Sequence, residues 1–260
     1  MSNGSNKTFN RDQQFGHAEY WDERYKDSDG SAPTHEWLLS FVDLEPFLKT
    51  NLFDVPGLRS QDDPHPLVLH LGSGDSTIPI DLSRLGYTSQ ICADFSPTVV
   101  CLMREQHASF PGIEWRLLDL RDMQGIPPNS IDVAFDKSTL DAMIYGSPWS
   151  PPPEVKKNTG AYLQEVHRVL KPTGRFLCIT FRQPHFMKPL LSQGGLFDLD
   201  MKVLNERGSF NYYGYISRKK SRSLSPTTST STSSSTSAPA STPPAIPISG
   251  VSDDAGAQEE

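Results

Sequence analysis

The tightest constraint on the fold is a rhythm of short apolar runs and helix-like stretches that fills residues 67–181. Residues 67–71, 90–93, 114–118, 131–135 and 175–181 read as strands, with helical patterns near 76–85, 96–107 and 161–170 between them. A strand that reaches its neighbour through a helix joins it in parallel, so this alternation predicts a parallel sheet with helices on both faces. Two more runs, 200–205 and 210–217, follow each other without a helix. The last strand is therefore expected to turn back, giving an α/β fold with a seven-strand sheet, mostly parallel with an antiparallel last strand.

From Ser221 onward the chain becomes "SRSLSPTTSTSTSSSTSAPASTPP", which offers almost nothing to bury against the entropy cost of ordering. We expect a flexible N-terminus over 1–17, one folded domain over 18–220 without internal repeats, and a disordered Ser/Thr/Pro-rich tail over 221–260. No apolar run approaches the roughly 18 residues that span a bilayer, and "MSNGSNKTFNRDQQ" is too polar for a secretory signal. These features predict a cytoplasmic protein with no membrane partner. Cys92, Cys101 and Cys178 sit in apolar settings and match no zinc spacing, so reduced core thiols and no metal are expected. The formal charge is −7 and the longest basic tract is "SRKKSR", so a nucleic-acid partner is not expected and a basic partner suits the chain better. The domain is expected to be a monomer.

The stretch "LVLHLGSGDSTIPI" (67–80) ends an apolar run in a loop with Gly72 and Gly74. A Walker loop would need Gly-Lys-Ser/Thr, and no lysine is present; a dinucleotide fingerprint would need a third glycine where Thr77 stands. S-adenosylmethionine has no phosphate and needs only a tight loop whose backbone approaches its methionine part, which two residues without Cβ supply. A helix starting near Ser76 would also turn free N–H groups towards the cofactor's carboxylate. From the loop alone, a plain strand-to-helix turn stays open.

The next strand ends add weight. Asp94, 22 residues beyond Gly72, stands where a carboxylate would hold two ribose hydroxyls. Asp119 is placed to accept from an adenine amino group, with Leu120 as a flat apolar contact, and the fourth strand ends in Asp136 and Lys137. Each acid alone is an ordinary helix N-cap. In order along adjacent parallel strands they mark a ligand crevice.

The motifs "EYWDERY", "SAPTHEW", "LGSGDS", "ADFSPTVV", "LLDLRDM", "FDKSTLDAM" and "EVHRVLKPTGRFLCIT" together resemble the seven-strand S-adenosylmethionine-dependent methyltransferases. Within them, the chain is similar to the small protein-lysine methyltransferases that act on translation elongation factor 1-alpha. The resemblance implies a Rossmann-like sheet, S-adenosylmethionine as cofactor, and a protein substrate, elongation factor 1-alpha. It implies cofactor contacts at Trp21, Tyr25, Trp37, Gly72, Asp94, Phe95, Asp119, Leu120 and Lys137, of which spacing alone supports Gly72, Asp94 and Asp119. The family has Cys and Asn where this chain has Ser73 and Asp75, and Gly where it has Ser138. Ser73 and Ser138 are expected to be tolerated on size, whereas Asp75 adds negative charge near the cofactor carboxylate. "YGSPWSPPPEVKKNTG" departs from the family and is expected to be a stiff surface loop beside the acceptor entrance.

Methyl transfer to lysine needs a neutral amine, whose ordinary pKa of about 10.4 falls on desolvation beside a positive sulfur. Aromatic rings can enclose the cationic amine, and Trp21, Tyr145, Trp149 and Tyr213 are the candidates, with Trp21 also a lid. Asp136 or Asp141 is the candidate catalytic acid that orients the amine. Lys137 either holds a carboxylate or forms an ion pair at a helix start. His70 ends a strand and is expected to be a satisfied core or crevice residue. Neither an "NPPY" sequence nor a nucleophile elbow is present. Two other functions stay open on sequence: a small-molecule methyltransferase with the proline-rich loop as lid, and a non-catalytic cofactor-binding scaffold.

Overall fold

The computed structural model describes residues 12–28, 33, 36–58, 66–204 and 210–220. Residues 1–11 of the N-terminus and the tail over 221–260 lie outside the described residues. Seven strands form one sheet: β1 (Val68–Leu71), β2 (Gln90–Asp94), β3 (Ile113–Leu117), β4 (Ile131–Lys137), β5 (Leu170–Thr180), β6 (Phe197–Val203) and β7 (Tyr213–Lys219). Their order is β3-β2-β1-β4-β5-β7-β6. The pairs from β3 to β5 are parallel, and β7 runs antiparallel to both β5 and β6.

The expected α/β sheet is therefore present. The chain steps from β1 outward to β2 and β3, then returns to β4 on the other side of β1. That reversal opens a crevice at the carboxyl ends of β1 and β4, where Leu71 lies opposite Asp136.

Among the described residues seven α-helices accompany the sheet: α1 (Ala18–Tyr25), α2 (Phe41–Leu48), α3 (Ile78–Arg84), α4 (Pro97–Gln106), α5 (Thr139–Met143), α6 (Pro153–Val169) and α7 (Pro184–Leu191). Local chemistry sets their starts. Ser40 and Asp43 form a reciprocal capping box on α2, and Ser96 caps α4 ahead of Pro97, a residue preorganised for a first turn. In α6 the buried residues Val155, Thr159, Tyr162, Val166 and Val169 fall on one helical stripe.

Alternate strand residues feed two apolar layers. Leu69, Leu71, Ile131 and Ala134 pack with Tyr162, Leu163 and Met187 on one face, while Val68, Val133 and Phe135 pack with Leu44, Phe47, Ile78 and Leu82 on the other. A third cluster joins α4 to β2 and β3 through Val99, Met103, Cys92 and Trp115, with Tyr25 of α1 packed into it. Burial on both faces is why β1, β2 and β4 read as continuous apolar runs instead of alternating ones.

Three expectations are corrected. Cys92 and Cys178 are buried, but Cys101 is exposed, because the buried face of α4 is spent on Val99, Val100 and Met103. The proline-rich stretch is a loop only as far as Pro152. α6 begins at Pro153, so all of "PEVKKNTG" is helix, with proline in the first turn where its missing N–H costs nothing. β5 starts at Leu170, five residues earlier than the apolar run that marked it.

Candidate active site

A cavity of about 970 Å³ lies over the carboxyl ends of β1–β5, beneath the N-terminal segment. Gly72 and Gly74 of the loop after β1 have φ of 66° and 51°, the left-handed region that favours glycine. A Cβ at Gly72 would run into the Thr139 side chain, and one at Gly74 would sit 2.7 Å from the Tyr25 hydroxyl. Both glycines are thus fixed by backbone conformation and by space.

The loop amides are mostly committed within the protein. Gly72 and Ser73 donate to the Ala93 carbonyl at 2.8 and 3.0 Å, and Gly74 donates to Asp94 Oδ2 at 2.9 Å. Helix α3 begins at Ile78, two residues beyond Ser76, whose Oγ accepts from the Ile78 amide at 3.4 Å and donates to the Glu36 carboxylate at 3.2 Å. The loop therefore offers close backbone approach more than a row of free helix amides.

At the end of β2, Asp94 is 7% exposed and accepts from the Gly74 and Ser96 amides, one on each oxygen. The Phe95 amide bonds the carboxylate as well, so about three of its four acceptor directions are taken while Asp94 still lines the cavity. Burial lifts its pKa to about 6 against these amide bonds. Ser96 also donates to Asp22 Oδ1 of α1, which latches that helix across the start of α4.

Asp119, Leu120 and Phe95 all line the cavity. Asp119 takes a bidentate ion pair from Arg121 at 2.7 and 2.9 Å, which holds its carboxyl below the usual range. Lys137 is nearly buried and binds the Glu36 carboxylate, donating also to the Trp37 carbonyl at 2.8 Å. Burial lowers its pKa and Glu36 opposes that shift. Lys137 thus anchors the Glu36–Trp37 segment to β4, so the ion pair foreseen for it is made to the N-terminal segment and not to a helix start. Asp75 is buried and acts electrostatically on Lys137 and Tyr25.

The roof is aromatic. Trp21 stacks on Tyr25 at 5.9 Å and meets Trp37 edge-on at 6.1 Å, while its indole N–H donates to the Phe15 carbonyl at 2.8 Å. Phe15 belongs to a 3-10 turn, Gln13–Gly16, that also lines the cavity.

The two candidate catalytic acids separate. Asp136 is fully buried and does not line the cavity. Its oxygens cap α5 through the Thr139 and Leu140 amides at 2.9 and 3.0 Å and accept from the Tyr162 hydroxyl at 2.6 Å, so its role is structural. Asp141 does line the cavity. Its Oδ1 accepts from Thr180 Oγ1 at 2.6 Å and pairs with Arg182 Nε at 3.2 Å, whereas Oδ2 is buried with no hydrogen-bond partner. Burial raises its pKa to about 6, with Thr180 and Arg182 opposing, so the carboxylate form prevails at neutral pH.

The aromatic candidates divide as well. Trp21 and Tyr145 line the cavity; Tyr213 is buried outside it with its hydroxyl on Gln183, and Trp149 stands outside, 80% exposed. His70 lines the cavity with its ring buried. Both Gln90 amide hydrogens go to the Pro79 and Tyr87 carbonyls, so Gln90 Oε1 must accept from His70 Nε2 at 2.7 Å. Burial holds the ring neutral, lowering its pKa to about 4 against the Gln90 hydrogen bond, which raises it.

Sequence spacing missed Glu36, Asp22, Thr139 and Arg182. Glu36 and Asp22 sit inside "SAPTHEW" and "EYWDERY", yet their partners lie 101 and 74 residues away, a separation no local pattern encodes. Thr139 Oγ1 donates to the Leu71 carbonyl at 2.7 Å, a tie across 68 residues.

Residues 62–206 match a family model described as a methyltransferase domain. The mouse protein "EEF1A lysine methyltransferase 4" is 33% identical over 214 residues, covering 82% of this chain and 78% of that protein. The cattle protein of the same name is 32% identical over 203 residues, 77% of this chain and 74% of that one. A solved SAM-dependent methyltransferase from Leishmania major shares the fold, with a TM-score of 0.54 at 14% identity over 78% of this chain and 86% of the other. Family match, relatives and a glycine-cradled cavity at the sheet's switch point converge: the chain belongs to the S-adenosylmethionine-dependent methyltransferases.

Proposed function

We propose that the chain methylates a lysine side chain on a protein, and that the protein is elongation factor 1-alpha, the substrate in the names of its mouse and cattle relatives. The observation that carries the lysine assignment is Asp141, an acid that lines the cavity and keeps one carboxylate oxygen, Oδ2, buried without a hydrogen-bond partner. An unsatisfied buried acceptor is costly, and an N–H donor entering the cavity would relieve it.

Gly72 and Gly74 would admit the methionine part of the cofactor, Asp94 its ribose hydroxyls, and Asp119 with Leu120 its adenine. Bound there, S-adenosylmethionine supplies an electrophilic methyl group whose C–S bonding pair returns to sulfur as the N–C bond forms. The cavity is lined by eight Asp or Glu side chains against three Lys or Arg, so it attracts a lysine ammonium. Burial then favours loss of the ammonium proton to solvent before the entrance closes. Asp141 Oδ2 accepts one hydrogen of the neutral amine and so aims the nitrogen lone pair. With a pKa of about 6 it holds this hydrogen without taking it. Trp21 and Trp37 keep water from the roof, which matters because the reaction needs positioning and exclusion of water more than acid–base force.

The test is incubation of the purified protein with methyl-labelled S-adenosylmethionine and purified elongation factor 1-alpha, followed by mass spectrometry. Label on a lysine is expected, and Asp141→Asn should lower kcat by roughly 100-fold with cofactor Kd unchanged. Label on another residue type, or full kcat in the variant, would overturn the assignment.

A further inference from the structure

Two chain segments leave the rim of the cavity and meet outside it. One runs from Tyr145, which lines the cavity, through a turn at Gly146 with φ 76° to Trp149. The other runs from Phe181 and Arg182, also at the rim, into the first turn of α7. They join in a ring cluster: Trp149 stacks on His185 at 5.8 Å and meets Phe186 edge-on at 4.9 Å, and His185 and Phe186 are 3.9 Å apart. Despite those contacts Trp149 is 80% exposed and Phe181 49% exposed, with the Arg182 guanidinium 5.4 Å over the Phe181 ring.

A surface aromatic platform of this kind contributes nothing to the core, and large exposed rings cluster at interaction sites. The rim beside it carries both signs, the Arg182 cation over Phe181 and the acids Glu154 and Asp12. Glu154 holds the Tyr145 hydroxyl at 2.9 Å, and Asp12 acts on Arg182 electrostatically. Exposed ring faces beside an acidic entrance suit Lys and Arg side chains, which lay their stems on aromatic rings and direct their charge to the acids.

We infer that Trp149, Phe181, His185 and Phe186 form a docking platform for a basic, lysine-bearing segment of the protein substrate, beside the cavity that receives the target lysine. The platform selects the protein and the cavity performs the transfer. The inference rests on the protein-lysine reading above, and its test separates the two.

The test compares wild type, Trp149→Ala and Trp149→Lys in the full chain. KM is measured for elongation factor 1-alpha, direct binding for a synthetic Lys/Arg-rich 15-residue peptide, and Kd for S-adenosylmethionine as a check on folding. Trp149→Ala should weaken both protein KM and peptide binding at least tenfold, and Trp149→Lys more, with kcat and cofactor Kd unchanged. Unchanged protein KM and peptide affinity in both variants would overturn the platform, as would a kcat loss at constant KM or a wild type that binds no peptide. If elongation factor 1-alpha is not methylated while the peptide still separates wild type from variant, the platform stands and the substrate assignment falls. A dimer that Trp149→Ala dissociates in light scattering would show that a second copy covers the platform, and would also overturn it.

Discussion

Asp94 gives the sharpest handle on cofactor binding. Its carboxyl is buried, lifted to about 6, and tied to the Gly74 and Ser96 amides by one oxygen each. Only the ionised form keeps both oxygens as acceptors and leaves a direction open to a ribose hydroxyl. With a pKa of about 6 the ionised fraction falls from about 0.9 at pH 7 to about 0.1 at pH 5, so Kd for S-adenosylhomocysteine should rise about tenfold over that range. The sign for folding is opposite. A folded pKa raised above the unfolded value near 3.8 adds stability that is present below that value and lost as pH rises through 6, so loading and stability respond to pH in opposing directions. Asp136 and Asp141, lifted to about 7 and about 6, titrate in the same window. Asp94→Asn isolates the source: it should weaken binding by roughly 100-fold or more, the loss of a charge-assisted bond with amide repulsion added, and flatten the pH slope. The assay is calorimetric titration at pH 5, 6 and 7. A wild-type Kd constant across these pH values, or a slope that survives Asp94→Asn, would refute the reasoning.

Asp136→Asn should lower Tm by roughly 5 °C, since its one oxygen cannot replace acceptors for the Leu140 amide and the Tyr162 hydroxyl as well as Thr139, while cofactor Kd stays put. A thermal melt beside a binding titration checks this; lost turnover at unchanged Tm would restore a catalytic role. Ser138 sits at φ 75°, so the family's glycine serves the backbone there and not small size. Ser138→Gly should raise Tm by about 2 °C, the relief of left-handed strain less the entropy of an added glycine, and a lower Tm would contradict it.

The centre of the sheet was legible because β1, β2 and β4 are buried on both faces and so appear as apolar runs, and the strand ends were legible because acids follow them. Shorter elements were not: α1, α2, α5 and α7 span five to eight residues each, too short for a helical period to stand out. Asp136 and Asp141 look equivalent in "FDKSTLDAM". Their roles diverge only through Tyr162, 26 residues from the first, and Thr180, 39 residues from the second. Trp149 is a similar case, since a ring in a proline-rich loop reads as wall or surface until α7 brings His185 and Phe186 beneath it.

Thr139 ties two functions into one mechanical unit. Its hydroxyl bonds the Leu71 and Gly72 carbonyls, while its own amide begins the helix that carries Asp141 two residues later. The glycine loop and the first turn of α5 are therefore joined through one side chain, and any coupling this contact carries between what the loop holds and what Asp141 meets is reciprocal, the same factor in either direction.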